Sequence, residues 1–224
     1  MARPSNPGDV VAPLLAYLRE RFPLSSAHEA LVRSMAVPIT LARGGQLQRA
    51  GEIADQTCFV VKGLLRSYAL DEDGHEHILR FAAEGWWLGD PESARKRTPT
   101  RIFFEAIEPS LVLRISHRDH ERMMETIPGH AISYAKGIQS WGAARERWIL
   151  GNLTGTAEER YREFLDTYPG IAARVPQRMI ASYLGLAPET LSRVRRRFAK
   201  KSPPRPPRDG SRTRRPPPPG SGSD

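Results

Sequence analysis

The first part of the chain alternates apolar and polar residues at helical spacing. Apolar residues recur every three or four positions over residues 12–22 and 26–35, which predicts two short amphipathic helices. Ser25 or Ser26 is a suitable N-cap for the second of them. The same spacing returns over residues 118–127 and 156–168, and Pro169-Gly170 ends the last of these predicted helices.

The pattern changes between residues 37 and 116. Short segments rich in β-branched and aromatic residues alternate with turn residues, which indicates about eight strands at roughly ten-residue intervals. This arrangement predicts an antiparallel barrel or sandwich. Asp73-Gly74 lies between two such segments and is a strong hairpin signal. Cys58 falls inside a predicted strand, so we expect its thiol to be buried in the core.

A longer helix is predicted from Pro128-Gly129 to about residue 151. One seam of this helix follows a 3-4-3-4-3 spacing, which is typical of a helix that pairs with a second copy of itself. The seam consists of Ala131, Tyr134, Ile138, Trp141, Arg145 and Trp148. Packing of the helix on its own barrel is the alternative. Arg145 favours the dimer, because an arginine is easier to place at a partly hydrated symmetric interface than in a core.

Residues 175–198 contain two short helical patterns joined at Gly185. The second pattern begins at Pro188, a residue that is favoured at the first position of a helix. Its apolar face comprises Leu191, Val194 and Phe198, and its opposite face carries Glu189, Arg193, Arg196 and Lys200. Two such helices with a tight turn between them predict a helix-turn-helix. A surface helical hairpin with a solvated basic face is the alternative.

The net charge strengthens the DNA-binding interpretation. The 224-residue chain has a formal net charge of +9. From Arg193 onward there are eleven Lys or Arg and two Asp, an excess of nine, so the rest of the chain is balanced. A basic end on a neutral body is typical of a protein that binds phosphate backbones. A solvated basic tail without a partner is the alternative.

Composition excludes several other classes. A single cysteine leaves no internal disulfide, no four-cysteine iron–sulfur site and no cysteine-based structural zinc site. We see neither a secretory signal nor a run of about 18 apolar residues, so we expect a cytoplasmic protein without membrane contact. His75 and His77 lie two residues apart on a predicted strand, and we interpret them as surface residues. We expect no metal site, no cofactor and no enzymatic activity.

The order of these elements resembles the Crp/Fnr superfamily of bacterial transcription regulators. The turns and strands that resemble its cyclic-nucleotide-binding domain are Gly44-Gly45, Gly51-Glu52, residues 59–66, Asp73-Gly74 and residues 113–116. Residues 157–161 and 175–195 resemble its DNA-binding domain. The resemblance implies an α+β fold: an antiparallel β-roll of jelly-roll type with flanking helices, a long dimerisation helix, and a C-terminal helix-turn-helix that is winged-helix-like.

The resemblance also implies a division into five segments. These are an N-terminal arm and short helix (1–24), a sensory β-roll (25–127), a dimerisation helix (128–152), a helix-turn-helix domain (153–200) and a disordered Pro/Arg-rich tail (201–224). It implies a homodimer whose interface includes Tyr134, Ile138, Trp141, Arg145 and Trp148. Double-stranded DNA, RNA polymerase and an unknown small-molecule effector are the further partners that it implies.

The recognition-helix residues of the family match positions in this chain. The family's E-x-x-S-R pattern falls on Glu189, Ser192 and Arg193, which we expect to read base edges in a half-site resembling TTGA. Glutamate accepts a hydrogen bond from cytosine N4 and arginine binds guanine O6 and N7, so the chemistry agrees. Residues expected to contact phosphates are Gln177, Arg178, Thr190, Arg196 and Arg197.

The effector pocket departs from the cyclic-nucleotide-binding pattern. The resemblance places its key positions at Gly89, Asp90, Thr100 and Arg101, so the usual glutamate is Asp90 and the phosphate-binding arginine is Thr100. Losing a charged bidentate partner for a phosphate predicts that cAMP does not bind. Two alternatives stay open: a cyclic-nucleotide sensor that uses Arg101 as a shifted phosphate contact, and a ligand-binding β-barrel whose helix pair is only structural.

Overall fold

The computed structural model describes residues 9–201 of the chain. Two compact units divide between Gly137 and Ile138. The first unit contains all the strands in the described range, and the second is helical there. Residues 1–8 of the predicted N-terminal arm and most of the 201–224 tail, which was predicted to be disordered, lie outside the described residues.

The described elements follow the predicted order. The helices are α1 (Ala12–Arg19), α2 (Ser26–Met35), α3 (Pro91–Lys96), α4 (His117–Thr126), α5 (His130–Thr154), α6 (Ala157–Thr167), α7 (Gln177–Tyr183) and α8 (Pro188–Lys201). The strands are β1 (Val37–Leu41), β2 (Gln46–Gln48), β3 (Gln56–Lys62), β4 (Leu65–Leu70), β5 (Glu76–Ala82), β6 (Trp87–Gly89), β7 (Phe103–Ala106) and β8 (Ser110–Ser116).

The strands form two four-stranded antiparallel sheets. Their orders are β1-β8-β3-β6 and β2-β7-β4-β5. The predicted hairpin at Asp73-Gly74 is confirmed, because β4 and β5 pair on either side of it with Leu70 opposite Glu76. Phe59 and Leu113 from one sheet and Leu65 and Phe81 from the other are fully buried. Alternating apolar residues on both sheets thus form the core that the sequence pattern predicts.

A helical cluster extends this core beyond the sheets. Leu14, Leu15 and Leu18 of α1 are buried together with residues of α2, β3, β8 and α4. Helix α1 is shorter than predicted because it ends at Arg19, but Phe22 still packs into the same cluster. The core of the first unit therefore continues across residue 24, the boundary expected between the N-terminal arm and the β-roll.

Two elements of the first unit were not predicted. Strand β6 has only three residues, too few for an alternating pattern to be recognised, and it is held by pairing with β3. Helix α3 follows β6 directly. Asp90 caps this helix and Pro91 occupies its first position, which is a recognisable start signal for a helix.

In the second unit the described residues are helical apart from connections. A 3₁₀ turn, Ile171–Ala173, connects α6 to α7, and residues 138–201 include no strand that would form the wing of a winged helix. The predicted helix-turn-helix corresponds to α7 and α8. Among residues 9–201, no helix combines the length and the apolar character that crossing a membrane requires.

Candidate nucleic-acid interface

The turn between α7 and α8 is a Schellman motif. The Leu186 N–H donates to the Ala181 carbonyl at 2.9 Å, and the Gly185 N–H donates to the Ser182 carbonyl at 3.1 Å. Gly185 has a φ of +60°, a conformation that glycine adopts at little cost. These bonds end α7, and α8 begins after two further residues. The conformation of the turn depends on Gly185, the residue at which the sequence pattern placed the turn.

Helix α6 is hydrogen-bonded to the turn between α7 and α8. Thr156 and Glu159 form a capping box at its start, as the Thr and Glu spacing allows. One turn into the helix, Arg160 Nη1 donates to the Leu184 carbonyl at 3.1 Å, and its Nε donates to the Gly155 carbonyl at 3.0 Å. Arg160 therefore ties the beginning of α6 to the turn. This positioning role is not evident in the sequence pattern, because Leu184 is 24 residues away along the chain.

An apolar core fixes the orientation of α8. Leu191 and Val194 of α8 are buried. Phe164 of α6 contacts Tyr183 of α7 with a ring-centre distance of 5.7 Å. Tyr161 of α6 contacts Phe198 of α8 at 5.3 Å. Because one face of α8 is used in this core, its opposite face is directed to solvent.

The three predicted base readers lie on that solvent face. Glu189, Ser192 and Arg193 are all exposed. The Arg193 guanidinium donates from Nη2 to the Thr190 hydroxyl at 3.2 Å, one turn earlier in the helix. A carboxylate acceptor and a guanidinium donor thus lie on adjacent turns of one exposed surface, and both groups are able to form hydrogen bonds with base edges.

The residues predicted to contact phosphates differ in their exposure and in the contacts they make within the protein. Gln177 and Arg178 lie at the start of α7 and are both exposed, and Arg196 is exposed on α8. Arg197 is also exposed, but its Nη1 lies 3.1 Å from Glu158 of α6. Because exposed ion pairs contribute about 0–1 kcal/mol, this pair would be exchanged for a phosphate at little cost. Thr190 is half-buried and accepts the bond from Arg193.

The four predicted effector-pocket positions are only partly brought together. Asp90 Oδ1 accepts hydrogen bonds from the Glu92 and Ser93 backbone at the start of α3, and its Oδ2 accepts from the Thr100 hydroxyl at 2.7 Å. Thr100 is buried, Gly89 pairs with Thr57 across β3 and β6, and Arg101 is exposed. The Asp90 carboxylate is thus already engaged within the protein.

The comparisons with known proteins cover both units. Residues 38–127 match the cyclic nucleotide-binding domain family. The fumarate and nitrate reduction regulatory protein of Vibrio cholerae is 26% identical over 174 residues, which are 71% of this chain and 68% of that protein. The structure of FixK2 from Bradyrhizobium japonicum has a TM-score of 0.60 and 26% identity, covering 74% of this chain and 85% of that one.

A transcriptional regulator of the Crp/Fnr family from Eubacterium rectale shares the fold as well. Its TM-score is 0.59 at 18% identity, covering 80% of this chain and 85% of that one. The chain is thus similar to Crp/Fnr regulators over both units. The predicted resemblance to the Crp/Fnr superfamily and the predicted α+β fold class are therefore confirmed.

Two residues of the predicted dimer seam make contacts within their own chain. Tyr134 packs against His120 of α4 with a ring-centre distance of 4.8 Å. Trp148 packs against Tyr183 of α7 at 5.7 Å. Ile138 is 40% exposed, Arg145 is exposed, and Trp141 is half-buried with the Arg145 guanidinium 5.8 Å from its ring centre. The two ends of the seam are therefore partly engaged within their own chain.

Further along α5, the protein exposes apolar residues that the predicted seam did not include. Ile149, Leu150 and Leu153 are 41%, 58% and 76% exposed. They belong to the second unit, as do Ile138 and Trp141. A heptad register that runs through Ile138, Arg145 and Ile149 would have found part of this surface. The predicted seam instead followed the two tryptophans.

Proposed function

We propose that this protein is a sequence-specific DNA-binding transcription regulator of the Crp/Fnr type that acts as a homodimer on a palindromic site. The observation that carries the proposal is the surface of α8, where Glu189, Ser192 and Arg193 are exposed while Leu191 and Val194 are buried. A helix held in this way enters a major groove as a rigid body and presents its N-terminal residues to base edges.

Glu189 and Arg193 specify sequence in this proposal. Arg193 forms two hydrogen bonds with guanine, and Glu189 accepts one from cytosine. The bond from Arg193 to Thr190 restricts the guanidinium before binding, which lowers the entropy cost of ordering it on DNA. Gln177, Arg178, Thr190, Arg196 and Arg197 contact phosphates, which position the helix without reading sequence.

The proposed dimer forms through the exposed apolar part of α5. Ile138, Ile149, Leu150 and Leu153 lie on a helix of 25 residues and are each at least 40% exposed. Large apolar side chains concentrated on one helix are typical of a helix that pairs with a partner. Trp141 and Arg145 belong to the same interface, with the arginine at its hydrated side. Tyr134 and Trp148 contribute from the edges that their own-chain contacts leave accessible.

The proposed sensory unit does not bind cAMP. Asp90 is committed to capping α3 and to Thr100, and the position expected for a phosphate-binding arginine holds the buried Thr100 hydroxyl. Neither group offers a positive charge to a cyclic phosphate, and the nearby Arg101 is exposed. Titration calorimetry with cAMP and cGMP tests this statement. We expect no saturable heat, and saturable binding that Arg101→Ala abolishes would instead support the shifted-contact alternative.

The experiment that tests DNA recognition compares Arg193→Ala with Arg178→Ala. Arg193→Ala should weaken binding to a selected site by about 1–3 kcal/mol, while binding to unrelated DNA stays nearly unchanged. Arg178→Ala is the matched control, because loss of a phosphate contact should weaken both DNAs alike and reduce the salt slope by about 1. Fluorescence anisotropy with labelled duplexes measures both. If Arg193→Ala weakened both DNAs equally, Arg193 would not be a base reader.

RNA polymerase and a small-molecule effector are the remaining partners in the proposal. Both rest on the family relationship. An effector would act by changing the populations of dimer arrangements that fit DNA and arrangements that do not.

A further inference from the structure

Three side chains meet where α4 and α5 come together in the first unit. His120 belongs to α4, and His130 and Tyr134 occupy the first two turns of α5. The ring centres of His120 and His130 are 5.3 Å apart, and those of His120 and Tyr134 are 4.8 Å apart. Only 5% of His120 and 6% of His130 is exposed, and Tyr134 is half-buried. Phe22 stacks on His130 at 5.2 Å, so the surroundings are largely aromatic.

The imidazole of His130 has no hydrogen-bond partner among the described residues. Both its Nδ1 and its Nε2 are buried, and neither is paired. An unsatisfied buried polar atom costs about 1–3 kcal/mol, so two on one ring need an explanation. An apolar side chain would fill the same volume without this cost. A ligand that bonds to one of these nitrogen atoms would account for a histidine at this position.

Both histidines are in the protonation state that binds metals. Burial lowers the pKa of His120 to about 4, with a smaller contribution from the neighbouring His130 and His117. Burial also lowers the pKa of His130. The two imidazoles are therefore neutral at neutral pH, and a neutral imidazole has the free lone pair that a metal ion requires.

The spacing of the rings suits one shared ion. Two imidazoles bound to a tetrahedral ion at about 2.1 Å have ring centres roughly 5 Å apart, close to the observed separation. Tyr134 follows His130 by four residues, so both side chains lie on the same face of α5. A third ligand from this helix would give the three-ligand set that leaves one position open.

We propose that His120, His130 and Tyr134 bind a divalent transition-metal ion of the Zn²⁺ class. The histidines supply two nitrogen atoms and Tyr134 supplies its phenolate oxygen, donors that suit such ions. Burial raises the pKa of Tyr134 in the metal-free protein, so the hydroxyl holds its proton there. Binding transfers that proton to solvent. The affinity should accordingly increase with pH.

A second cluster on the surface serves as the control. Asp71, Asp73 and His75 place their ligand atoms within 4.8 Å of one another, but all three are exposed. The Asp71 carboxylate already accepts hydrogen bonds from the backbone of Asp73 and His75, and it lies 2.8 Å from His77 Nε2. The groups of this cluster are satisfied without an ion. Because the cluster lies on the β4–β5 hairpin, substitutions in it do not alter the residues of the proposed buried site.

The test is a titration of the full chain, first treated with a chelator, with Zn²⁺ and with Co²⁺ as a spectroscopic probe. The unmodified protein should bind one equivalent and give the visible absorption of a tetrahedral Co²⁺ ion. His120→Phe and His130→Phe keep an aromatic ring but should each lower the affinity by at least about tenfold. Asp71→Asn and His77→Ala should leave the affinity unchanged.

Tyr134→Phe tests the third ligand in a way that does not depend on the histidine variants folding. It should change the Co²⁺ absorption and remove the proton released on binding, both measured at constant pH. Failure of the unmodified protein to bind an equivalent of metal would overturn the proposal. Binding that is lost in Asp71→Asn and retained in His130→Phe would also overturn it. Because the readout is metal binding itself, either result would leave the proposed DNA recognition untouched.

Discussion

Arginine side chains on α8 illustrate how neighbouring residues of one type take different roles. Arg193 is exposed and donates to Thr190 of its own helix, so its guanidinium lies on the surface of α8 that we propose to read bases. Arg197, one turn later, is 70% exposed and paired with Glu158 of another helix. The helical pattern predicted a solvent position for Arg193, and the match to the family's recognition helix led us to expect a phosphate contact for Arg197. It did not predict the ion pair, because Glu158 is 39 residues away in the sequence.

The buried side chain of His120 makes the free energy of unfolding depend on pH. An unfolded histidine titrates near 6.5, whereas burial lowers the pKa of His120 to about 4. Between these values the unfolded chain binds more protons than the folded one, so the free energy of unfolding falls as the pH decreases from 6.5 toward 4. The loss attributable to this residue should not exceed about 3 kcal/mol.

His120→Phe should reduce that pH dependence, because the variant has no group at position 120 to protonate. Urea unfolding of both proteins at several pH values between 4 and 7, with a chelator present, measures the effect. A slope that is identical in the two proteins would show that His120 is not the group responsible.

At the residue scale, the sequence predicted which residues are buried better than it predicted which residues contact one another. Cys58 is buried as expected, and burial raises its pKa to about 12, consistent with an unreactive core thiol. The contact between His120 and His130 was not predicted, because helical periodicity does not indicate which side chains of separate helices meet. The same limit applies to Arg66, a buried residue of β4 that is paired with Glu76 and Glu105 on neighbouring strands.

At the scale of elements, some turns allow only glycine. Gly63 lies between β3 and β4 with a φ of +101°, and a Cβ atom added there would be 2.7 Å from the Ser110 Cα. Such an approach requires the backbone of β8 to move. This glycine is therefore required both by its conformation and by the packing of a neighbouring strand.

Gly63→Ala should destabilise the protein much more than Gly51→Ala. Gly51 has a φ of +89°, but a Cβ atom added at this position would have no atom within 4 Å. Its variant therefore suffers only the conformational strain, about 1–2 kcal/mol. Gly63→Ala adds the clash with Ser110, and we expect a total loss of about 3 kcal/mol or more. Chemical denaturation of the two variants gives the difference. Equal losses would mean that the close approach of β8 does not matter.

The long and strongly patterned elements were predictable, and the short ones were not. Helix α8 begins at Pro188 as expected, because a proline and a clear apolar face mark it. Strand β6 depends on pairing with β3, a contact between distant parts of the chain that no local pattern contains. Helix α3 had a local start signal in Asp90 and Pro91. The local pattern did not show that Asp90 also accepts a hydrogen bond from Thr100, ten residues later in the chain.

At the scale of the whole molecule, the order of the elements predicted the similarity to Crp/Fnr regulators. A β-roll, a long helix and a helix-turn-helix follow one another in the sequence, and the matches to cyclic nucleotide-binding domains and to FixK2 agree with that order. The register of the dimer helix was harder to predict. Tryptophans suit both an interface and an intrachain core, and Trp148 contacts Tyr183 of its own chain.

The proposed homodimer sets the geometry of the DNA site. Two copies of α8 related by a twofold axis would enter successive major grooves, so the half-sites should lie about 34 Å apart, roughly 10 base pairs between centres. Each half-site should be read by Glu189, Ser192 and Arg193 from one copy. The palindrome and its spacing therefore report on the α8 surface and the α5 interface together.

Selection of bound sequences from a random pool of DNA duplexes is the most direct test of the proposed DNA recognition. We expect enrichment of a palindrome whose half-sites resemble TTGA, with centres separated by about one helical turn. A pool that yields no enriched motif, or a single half-site without its inverted partner, would contradict recognition of DNA by a symmetric dimer.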